Sequence, residues 1–281
     1  MAIPYLNGYS IKPATINALG EVIFTDGTNA ITPNQQQCEA YGYTYNEATG
    51  TCNAFRFSTN LQKSLNTENN NIKGANNVVE TGTNNTCIMG ENNIVKGISR
   101  NNIIIGSNNE IANGVDNANV YGTLAQATAD NSIVLGGNAG TDILGERQNI
   151  TLMYGVTTTN NSTVDAYLNN TTNSYFVVPD NAVIYFQSET LAVRVGGSSG
   201  SGSVGDFKAW VERGVVKNAR GTLSIDRSRT SPADSGTTSG WSPINNVSGT
   251  NFRQTCKGAT DMTIEWVSTI RITQLQTSVE L

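Results

Sequence analysis

The chain has 281 residues, of which 14% are charged and 37% are hydrophobic, and its formal net charge is −5. This balance gives no broad basic field for nucleic acid, and no run of about 18 apolar residues is present to span a membrane. Histidine is absent, which excludes Ser-His and Cys-His catalytic pairs and every histidine-containing metal site. Low charge combined with abundant Asn, Thr, Ser and Gly favours an all-β extracellular or virion architecture over a metabolic enzyme.

Residues 1–58 are predicted to form a β-rich N-terminal unit. Residues 21–25 (EVIFT) before Asp26-Gly27 indicate a short strand that ends in a turn, and residues 41–45 (YGYTY) with 51–57 (TCNAFRF) predict a β-hairpin. One face of this hairpin would carry the tyrosines and Phe55 and Phe57. We expect the unit to anchor the chain on a larger body, or to use these aromatic side chains as its own core.

The four cysteines at 38, 52, 87 and 256 are too scattered for a Cys₄ zinc ribbon. A hairpin turn centred on Ala48 would place Cys52 opposite Thr44, six residues from Cys38, which is too far for a disulfide. The sequence therefore favours free thiols, with a disulfide as the alternative if the chain folds back before Tyr41. We predict no catalytic residue, no cofactor and no metal.

A repeat of sixteen residues runs from Asn69 to about Gly136, within a predicted shaft of residues 59–146. Three columns define it: Asn69, Asn85, Asn101 and Asn117; Ile72, Ile88, Ile104 and Val120; and Gly74, Gly90, Gly106 and Gly122. A second half-turn repeats Asn pairs and then Val79, Val95 and Ile111. Such regularity is typical of a solenoid, and half-turns of about eight residues predict a short parallel β-roll or β-helix whose Asn columns stack as ladders. A low-complexity linker is the alternative.

The middle coils also carry apolar residues on the strand face opposite the buried column. These residues are Met89, Ile103, Ile105 and Tyr121. An apolar face of this kind on a thin solenoid predicts an association site. We therefore expect a homotrimer in which three rolls pack about a common axis, with a dimer as the alternative.

After the roll, the next Asn-x-Ile-x-Leu-Gly follows with a step of fourteen residues, and Gly136-Gly-Asn-Ala-Gly140 is expected to end the rod. Residues 147–175 are predicted as a neck, and residues 176–281 as an antiparallel β-sandwich head. The expected strands of the head are residues 182–186, 191–195, 207–211, 222–226, 252–256, 262–266 and 269–275. Two long mobile loops, residues 196–205 and 228–240, are where binding specificity is expected.

The candidates for contact with a surface ligand are two tryptophans and two arginines, and the arginines lie beside the second of these loops. They are Trp210, Trp241, Arg227 and Arg229. The alternative for both tryptophans is a place in the core, because Trp210 lies in a predicted strand and Trp241 follows a glycine.

Residues 258–267 (GATDMTIEWV), preceded by Trp241-Ser-Pro and followed by a strand at 269–273, resemble the C-terminal sandwich of tailed-bacteriophage fibre proteins. The Asn-rich roll is similar to the heads of trimeric autotransporter adhesins, although the usual unit of that family is shorter. The resemblance implies a trimeric fibre of a bacteriophage virion, either a tail fibre or a head fibre, assembled in the host cytoplasm. The N-terminus also shows no Sec-type signal.

The leading hypothesis is a non-enzymatic structural fibre whose distal domain contacts a host-surface glycan or another virion protein. A bacterial surface adhesin is the second hypothesis. The third is a polysaccharide depolymerase with two carboxylates. The carboxylates available for it are Glu212, Asp226, Asp234, Asp261 and Glu265.

Overall fold

The computed structural model describes residues 11–17, 19–54, 69–137, 143–169 and 171–281. The chain divides into two compact units, Met1–Gln62 and Lys63–Leu281. Nearly all of the regular structure is β. Within the part of the chain that the structure describes, no helix is long and apolar enough to cross a membrane.

The described part of the first unit contains five short strands and one helix around a small core. The elements are β1 (Lys12–Ile16), β2 (Val22–Thr25), β3 (Ala30–Ile31), α1 (Gln35–Ala40), β4 (Thr44–Asn46) and β5 (Thr51–Asn53). Strands β1, β2 and β3 form an antiparallel sheet, and β4 pairs with β5. Val22, Phe24, Cys38 and Cys52 are buried at the centre. Of the predicted aromatic face, Tyr43 and Tyr45 pack against this centre, and Phe55 and Phe57 lie outside the described residues.

Cys38 and Cys52 form a disulfide, with their Cα atoms 5.6 Å apart. The preference for free thiols is therefore wrong. The reason is helix α1, which folds the chain back before the hairpin and brings Cys38 beside β5. The hairpin register also differs by one residue from the prediction, because Cys52 pairs with Tyr45 and not with Thr44.

Helix α1 had a sequence signal that the prediction did not use. The Asn34 side chain accepts a hydrogen bond from the Gln37 N–H at 2.9 Å, and the Gln37 side chain accepts one from the Asn34 N–H at 3.0 Å. This reciprocal pair is a capping box, which is visible as Asn-x-x-Gln directly after Pro33.

The second unit begins as a β-solenoid of about four turns. Its strands are β6 (Asn71–Lys73), β7 (Val78–Val79), β8 (Cys87–Glu91), β9 (Ile94–Val95), β10 (Ile103–Ser107), β11 (Glu110–Ile111), β12 (Asn119–Thr123), β13 (Gln126–Ala127) and β14 (Ile133–Gly136). The even-numbered strands stack in parallel as one sheet and the odd-numbered strands as a second sheet. The last coil is two residues shorter, since Val120 pairs with Val134, yet it still stacks in parallel.

Among the described residues after the solenoid there are nine further strands. They are β15 (Arg147–Thr158), β16 (Thr163–Leu168), β17 (Phe176–Val177), β18 (Ala182–Gly196), β19 (Phe207–Ala219), β20 (Thr222–Ser235), β21 (Ser242–Ser248), β22 (Asn251–Lys257) and β23 (Thr263–Gln276). The expected end of the rod at residues 136–140 falls partly outside the described residues, which resume at residue 143.

One continuous sheet joins the solenoid to the C-terminal strands. Its order is β20-β19-β18-β23-β15-β14-β12-β10-β8-β6. The pairing changes from parallel to antiparallel between β14 and β15, where Val134 pairs with Ile150. The long strands therefore extend the same sheet that the solenoid begins.

The four short strands β16, β17, β21 and β22 pack on one side of the long C-terminal strands. Phe252 of β22 lies 4.9 Å from the Phe186 ring, measured between centroids. The buried Tyr154 hydroxyl donates to the Phe252 carbonyl at 3.2 Å and accepts from the Phe176 N–H at 3.1 Å. Apolar rings therefore fill the space between the two layers at this point, and the Tyr154 hydroxyl among them has both a donor and an acceptor partner.

Two predictions for the C-terminal strands are wrong. Residues 182–186 and 191–195 are not separate strands but parts of the single strand β18, and residues 228–240 are not mainly a loop, because β20 continues to Ser235. The polar residue Thr190 in the middle of β18 stays in the strand because its side chain forms buried hydrogen bonds. Its hydroxyl bonds the Ser268 hydroxyl at 2.5 Å and accepts from the Gln254 amide at 3.1 Å.

Candidate assembly surface

The interior of the solenoid is held by a ladder of buried asparagines, Asn77, Asn93 and Asn109. The Asn93 amide donates to the Asn77 side-chain oxygen at 3.0 Å and to the Gly106 carbonyl at 2.8 Å. Its own side-chain oxygen accepts from the backbone and side-chain N–H groups of Asn109 at 3.1 and 3.0 Å. The buried amide of Asn93 is thus satisfied by the coils on both sides, as a buried polar group must be.

The glycine column stacks directly, coil on coil. Gly90 and Gly106 have φ values of +143° and +137°, and Gly90 pairs in register with Gly106. A Cβ added at Gly106 would lie 1.9 Å from the carbonyl oxygen of Gly122. Only glycine fits both this backbone conformation and this close approach.

The outer asparagine column provides left-handed corners. Asn69, Asn85, Asn101 and Asn117 have φ between 53° and 59°, a region that Asn tolerates better than most residues. The side chains of the last three form a hydrogen-bonded chain, from Asn85 to Asn101 at 3.2 Å, to Asn117 at 3.2 Å and finally to Asn169 at 3.3 Å. The loop after β16 thereby terminates the column.

The apolar column inside and the apolar row outside lie on opposite faces of the same strands. Ile88, Ile104 and Val120 are fully buried, whereas Ile72 at the first coil is partly buried. On the other face Met89, Ile105 and Leu135 are 45%, 43% and 52% exposed. Ile103 and Tyr121 are half-buried on that face.

We call the row Met89, Ile105, Tyr121, Leu135 the outer row; its members pair in register from coil to coil. The row continues over the C-terminal strands through Asn149, Thr273, Tyr185 and Val215. The two polar members bond each other, since the Thr273 hydroxyl donates to the Asn149 side-chain oxygen at 3.0 Å. The sequence analysis identified only the solenoid half of this row.

Neither tryptophan proposed for surface contact is available to a ligand. Trp210 and Trp241 are 5% and 4% exposed. Both pack on Trp266, with ring centroids 5.5 and 6.2 Å away, and the Trp266 indole N–H donates to the Thr158 hydroxyl at 2.9 Å. These three rings form core, which corrects the surface prediction for Trp210 and Trp241.

The two arginines proposed for the same role lie on strand β20 and make internal contacts. Arg227 forms an ion pair with Glu212 at 2.7 Å, and the carboxylate of Glu212 is almost fully buried. Arg229 donates to the Ser242 hydroxyl at 2.9 Å and to the Pro243 carbonyl. Both arginines therefore fasten the edge strand to its neighbours.

The Gly-Ser segment at residues 197–205 is a loop, as predicted, but a buried arginine organises it. Arg194 is 3% exposed and its guanidinium donates to the carbonyls of Ser201 and Ser199 at 2.6 and 2.9 Å. Asp206 accepts the N–H groups of Ser203 and Thr237, and these bonds lower the pKa of its carboxyl. The loop is thus fixed from inside, which corrects the expectation of a mobile segment.

A second cluster that the sequence did not reveal joins β16 to β22. The Arg253 guanidinium lies 4.8 Å from the Tyr175 ring centroid, and it forms an ion pair with Asp165. Burial, followed by the nearby Tyr167 hydroxyl and the Asp165 carboxylate, raises the pKa of Tyr175 to about 12. Tyr175 therefore stays protonated at neutral pH and donates to Asp165 at 3.1 Å.

Of the five carboxylates available for a depolymerase, Glu212 is occupied by structural contacts. Besides its ion pair, it accepts the side-chain N–H of Asn245 at 2.9 Å. Asp234 forms an ion pair with Lys208 at 3.3 Å. Asp226, Asp261 and Glu265 are exposed at separate positions, on β20, in the turn before β23 and on β23.

No family model matches the chain, and no curated protein matches it. Among solved structures it is similar to the tailspike protein of Acinetobacter baumannii phage AM24, with 8% identity over 73% of this chain and 55% of that one and a TM-score of 0.28. The tailspike protein gp49 of Acinetobacter baumannii bacteriophage Fri1 gives 8% identity over 69% and 37%, with a TM-score of 0.28. The tailspike protein of Acinetobacter phage vB_ApiP_P1 gives 7% over 75% and 58%, with a TM-score of 0.19.

The Fri1 protein is described as a capsular polysaccharide depolymerase. The prediction that the present chain is not an enzyme is contradicted by this finding, and the exclusion is withdrawn. The chain spans 37–58% of the length of these tailspikes. At such identities and TM-scores the likeness assigns neither an activity nor a role to this chain.

Proposed function

We propose that this chain is a subunit of a bacteriophage tail fibre in which three identical copies associate along the outer row. The bacteriophage setting comes from the resemblance of residues 258–267 to the C-terminal segment of fibre proteins. A head fibre would place the same demands on the fold, and the function common to both is a rigid virion appendage.

One observation carries this proposal, the exposure of the outer row on a very thin solenoid. Strands β8, β10 and β14 each bury one apolar side chain in the solenoid and present the next one to solvent, as Ile104 and Ile105 do in β10. A row of exposed Met, Ile and Leu side chains along one face marks an association surface. Identical copies close such a surface by rotation about an axis parallel to the row.

The parts of the chain would then have separate tasks. Residues 1–58 would anchor the fibre on other virion proteins, residues 59–146 would form the shaft, and residues 147–175 the neck. Residues 176–281 would form a β-sandwich head that contacts a host-surface glycan or another virion protein. The fixed loop at 197–205 supports a binding role for the head, because a preorganised loop loses less entropy when it binds.

The test is the mass of the protein in solution with the outer row intact and disrupted. Ile105→Asp places a charge in the row, and Ile98→Asp is the matched control, since Ile98 is an exposed solenoid isoleucine outside the row. Light scattering should give three times 29.9 kDa for the wild type and for Ile98→Asp, and a smaller mass for Ile105→Asp.

A wild-type mass equal to one chain would overturn the proposal, as would an Ile105→Asp trimer. Circular dichroism should show whether the variant is folded. If Ile105→Asp does not fold, Met89→Glu in an outer coil provides the same test with less disturbance of the middle coil. The wild-type protein should also be incubated with host cells and capsular polysaccharide, with adsorption and the release of reducing ends both measured.

A further inference from the structure

We infer that a second copy of this chain also covers the outer face of the C-terminal strands, so that shaft and head share one interface. This inference rests on the proposed function and extends it to the strands β15, β23, β18, β19 and β20. We call the solvent side of these strands the head face. It is defined by the odd-numbered residues of β15, β23, β18 and β19, which point away from the tryptophan core.

The head face carries many large apolar side chains, although it is open to solvent in a single chain. Its exposed large hydrophobic residues are Met153, Tyr185, Leu191, Val195, Phe207, Val215, Val267 and Leu275, each between 39% and 55% exposed. Strands that need only one buried face alternate apolar with polar residues. These strands carry apolar residues on both faces, which is expected where both faces are covered.

The head face continues the surface that the solenoid presents. Leu135 of the last coil pairs with Asn149, and Tyr185 and Val215 follow in the same row. A hollow of about 420 Å³ lies at this junction, between Leu135 and Leu275. A copy seated on the outer row of the solenoid would therefore meet the head face without crossing a gap in the sheet.

The area is sufficient for a stable contact. Five strands about 4.8 Å apart and about twelve residues long give a face of roughly 950 Å². A standard stable interface buries about 800 Å² on each partner. A second hollow of about 360 Å³ on this face is bordered by Leu191, Val211, Pro232 and Val267. Apolar side chains of an identical copy could fill it.

The charges on the head face favour a second copy over a partner of one sign. Arg271 lies 3.8 Å from Glu189, while Arg213 and Glu265 are exposed and have no ion-pair partner among the described residues. A face that carries both signs can complement itself when identical copies meet. A purely acidic or purely basic partner would leave one set of these charges opposed.

Thiol labelling tests the inference on the full chain. Leu191→Cys lies in the head face at 43% exposure, and Val177→Cys on β17 lies outside it at 44% exposure, so the two positions are equally exposed in a single chain. Both variants are made with Cys87→Ser. The remaining free thiol, Cys256, is buried, and burial raises its pKa, which keeps it unreactive.

Each variant is labelled with a maleimide under non-reducing conditions while its mass is measured by light scattering. We expect an oligomer in which Leu191→Cys reacts about tenfold more slowly than Val177→Cys. Equal rates in an oligomer would overturn the inference and leave the proposed function intact. A monomer with equal rates would overturn both. Protection of Leu191→Cys in a monomer would show that another part of the same chain covers the face, and would also overturn both.

Discussion

The solenoid and the C-terminal strands belong to one sheet, yet different side chains stabilise them. In the solenoid, small residues allow the coils to touch, and buried amides such as Asn93 satisfy the backbone of the next coil. In the C-terminal strands, large rings fill the space between two layers, with Trp266 between Trp210 and Trp241. The difference teaches that a solenoid depends on the fit of its backbone, whereas the wider part depends on the volume of its side chains.

The largest effect is expected in the solenoid, for a substitution at Gly106. Gly106→Ala places a Cβ against the Gly122 carbonyl and imposes a side chain on a φ of +137°, so we expect a loss of more than about 4 kcal/mol in unfolding free energy. The control is Gly200→Ala, because nothing lies within 4 Å of a Cβ at Gly200. Chemical denaturation should separate the two variants clearly. A Gly106→Ala protein as stable as the control would contradict the close stacking of the coils.

The buried ladder gives the next effect in size. Asn93→Ala removes two donated and two accepted hydrogen bonds, and it leaves the neighbouring buried groups without partners, at a cost of about 3 kcal/mol. Asn85→Gly is the matched change in the exposed column, where the left-handed backbone is retained and exposed side-chain bonds are lost. We expect the denaturation midpoint of Asn85→Gly to move much less than that of Asn93→Ala. Equal shifts for the two variants would show that burial does not set the energy of the ladder.

The smallest of the three effects is expected at Arg194, in the C-terminal region. Arg194→Ala removes the donors that fix the loop at 197–205, which should cost about 2 kcal/mol. The loop should also become the first site of limited proteolysis, since an exposed loop without internal bonds is readily cut. Arg220→Ala, at an exposed ion pair with Glu280, is the control. Unchanged proteolysis in Arg194→Ala would show that other contacts fix the loop.

The solenoid was predictable because the same residue types recur at the same positions in each coil. The sixteen-residue step is the step of the parallel pairing, as in Ile88 with Ile104 and Ile104 with Val120. Its continuation into β14 was less visible, because the last coil is shorter. The surface use of the apolar row stays a prediction.

The C-terminal strands were harder to predict, because tertiary contacts override local signals there. Ser188 and Thr190 lie between the two strands predicted at 182–186 and 191–195, but they are buried and hydrogen-bonded inside β18. Pro232 resembles a loop residue, yet it lies at a register shift in β20, opposite the Ala209–Val211 stretch of β19. An edge strand tolerates proline and charges because one side of its backbone is unpaired.

The predictions for the cysteine pair and for the tryptophans were wrong for a related reason. Cys38 reaches Cys52 only because α1 reverses the chain, so strand spacing alone gave the wrong distance. Trp210 lies in β19 and Trp241 directly precedes β21, and no local pattern reveals that the partner layer covers both side chains. In both cases the missing information was the position of a second element.

Electron cryomicroscopy of the purified full-length protein tests the account most directly. The account predicts three copies, with Met89, Ile105 and Leu135 of each copy in contact with a neighbouring chain along the shaft. Particles made of one chain, or of several chains that leave these three side chains in solvent, would contradict it.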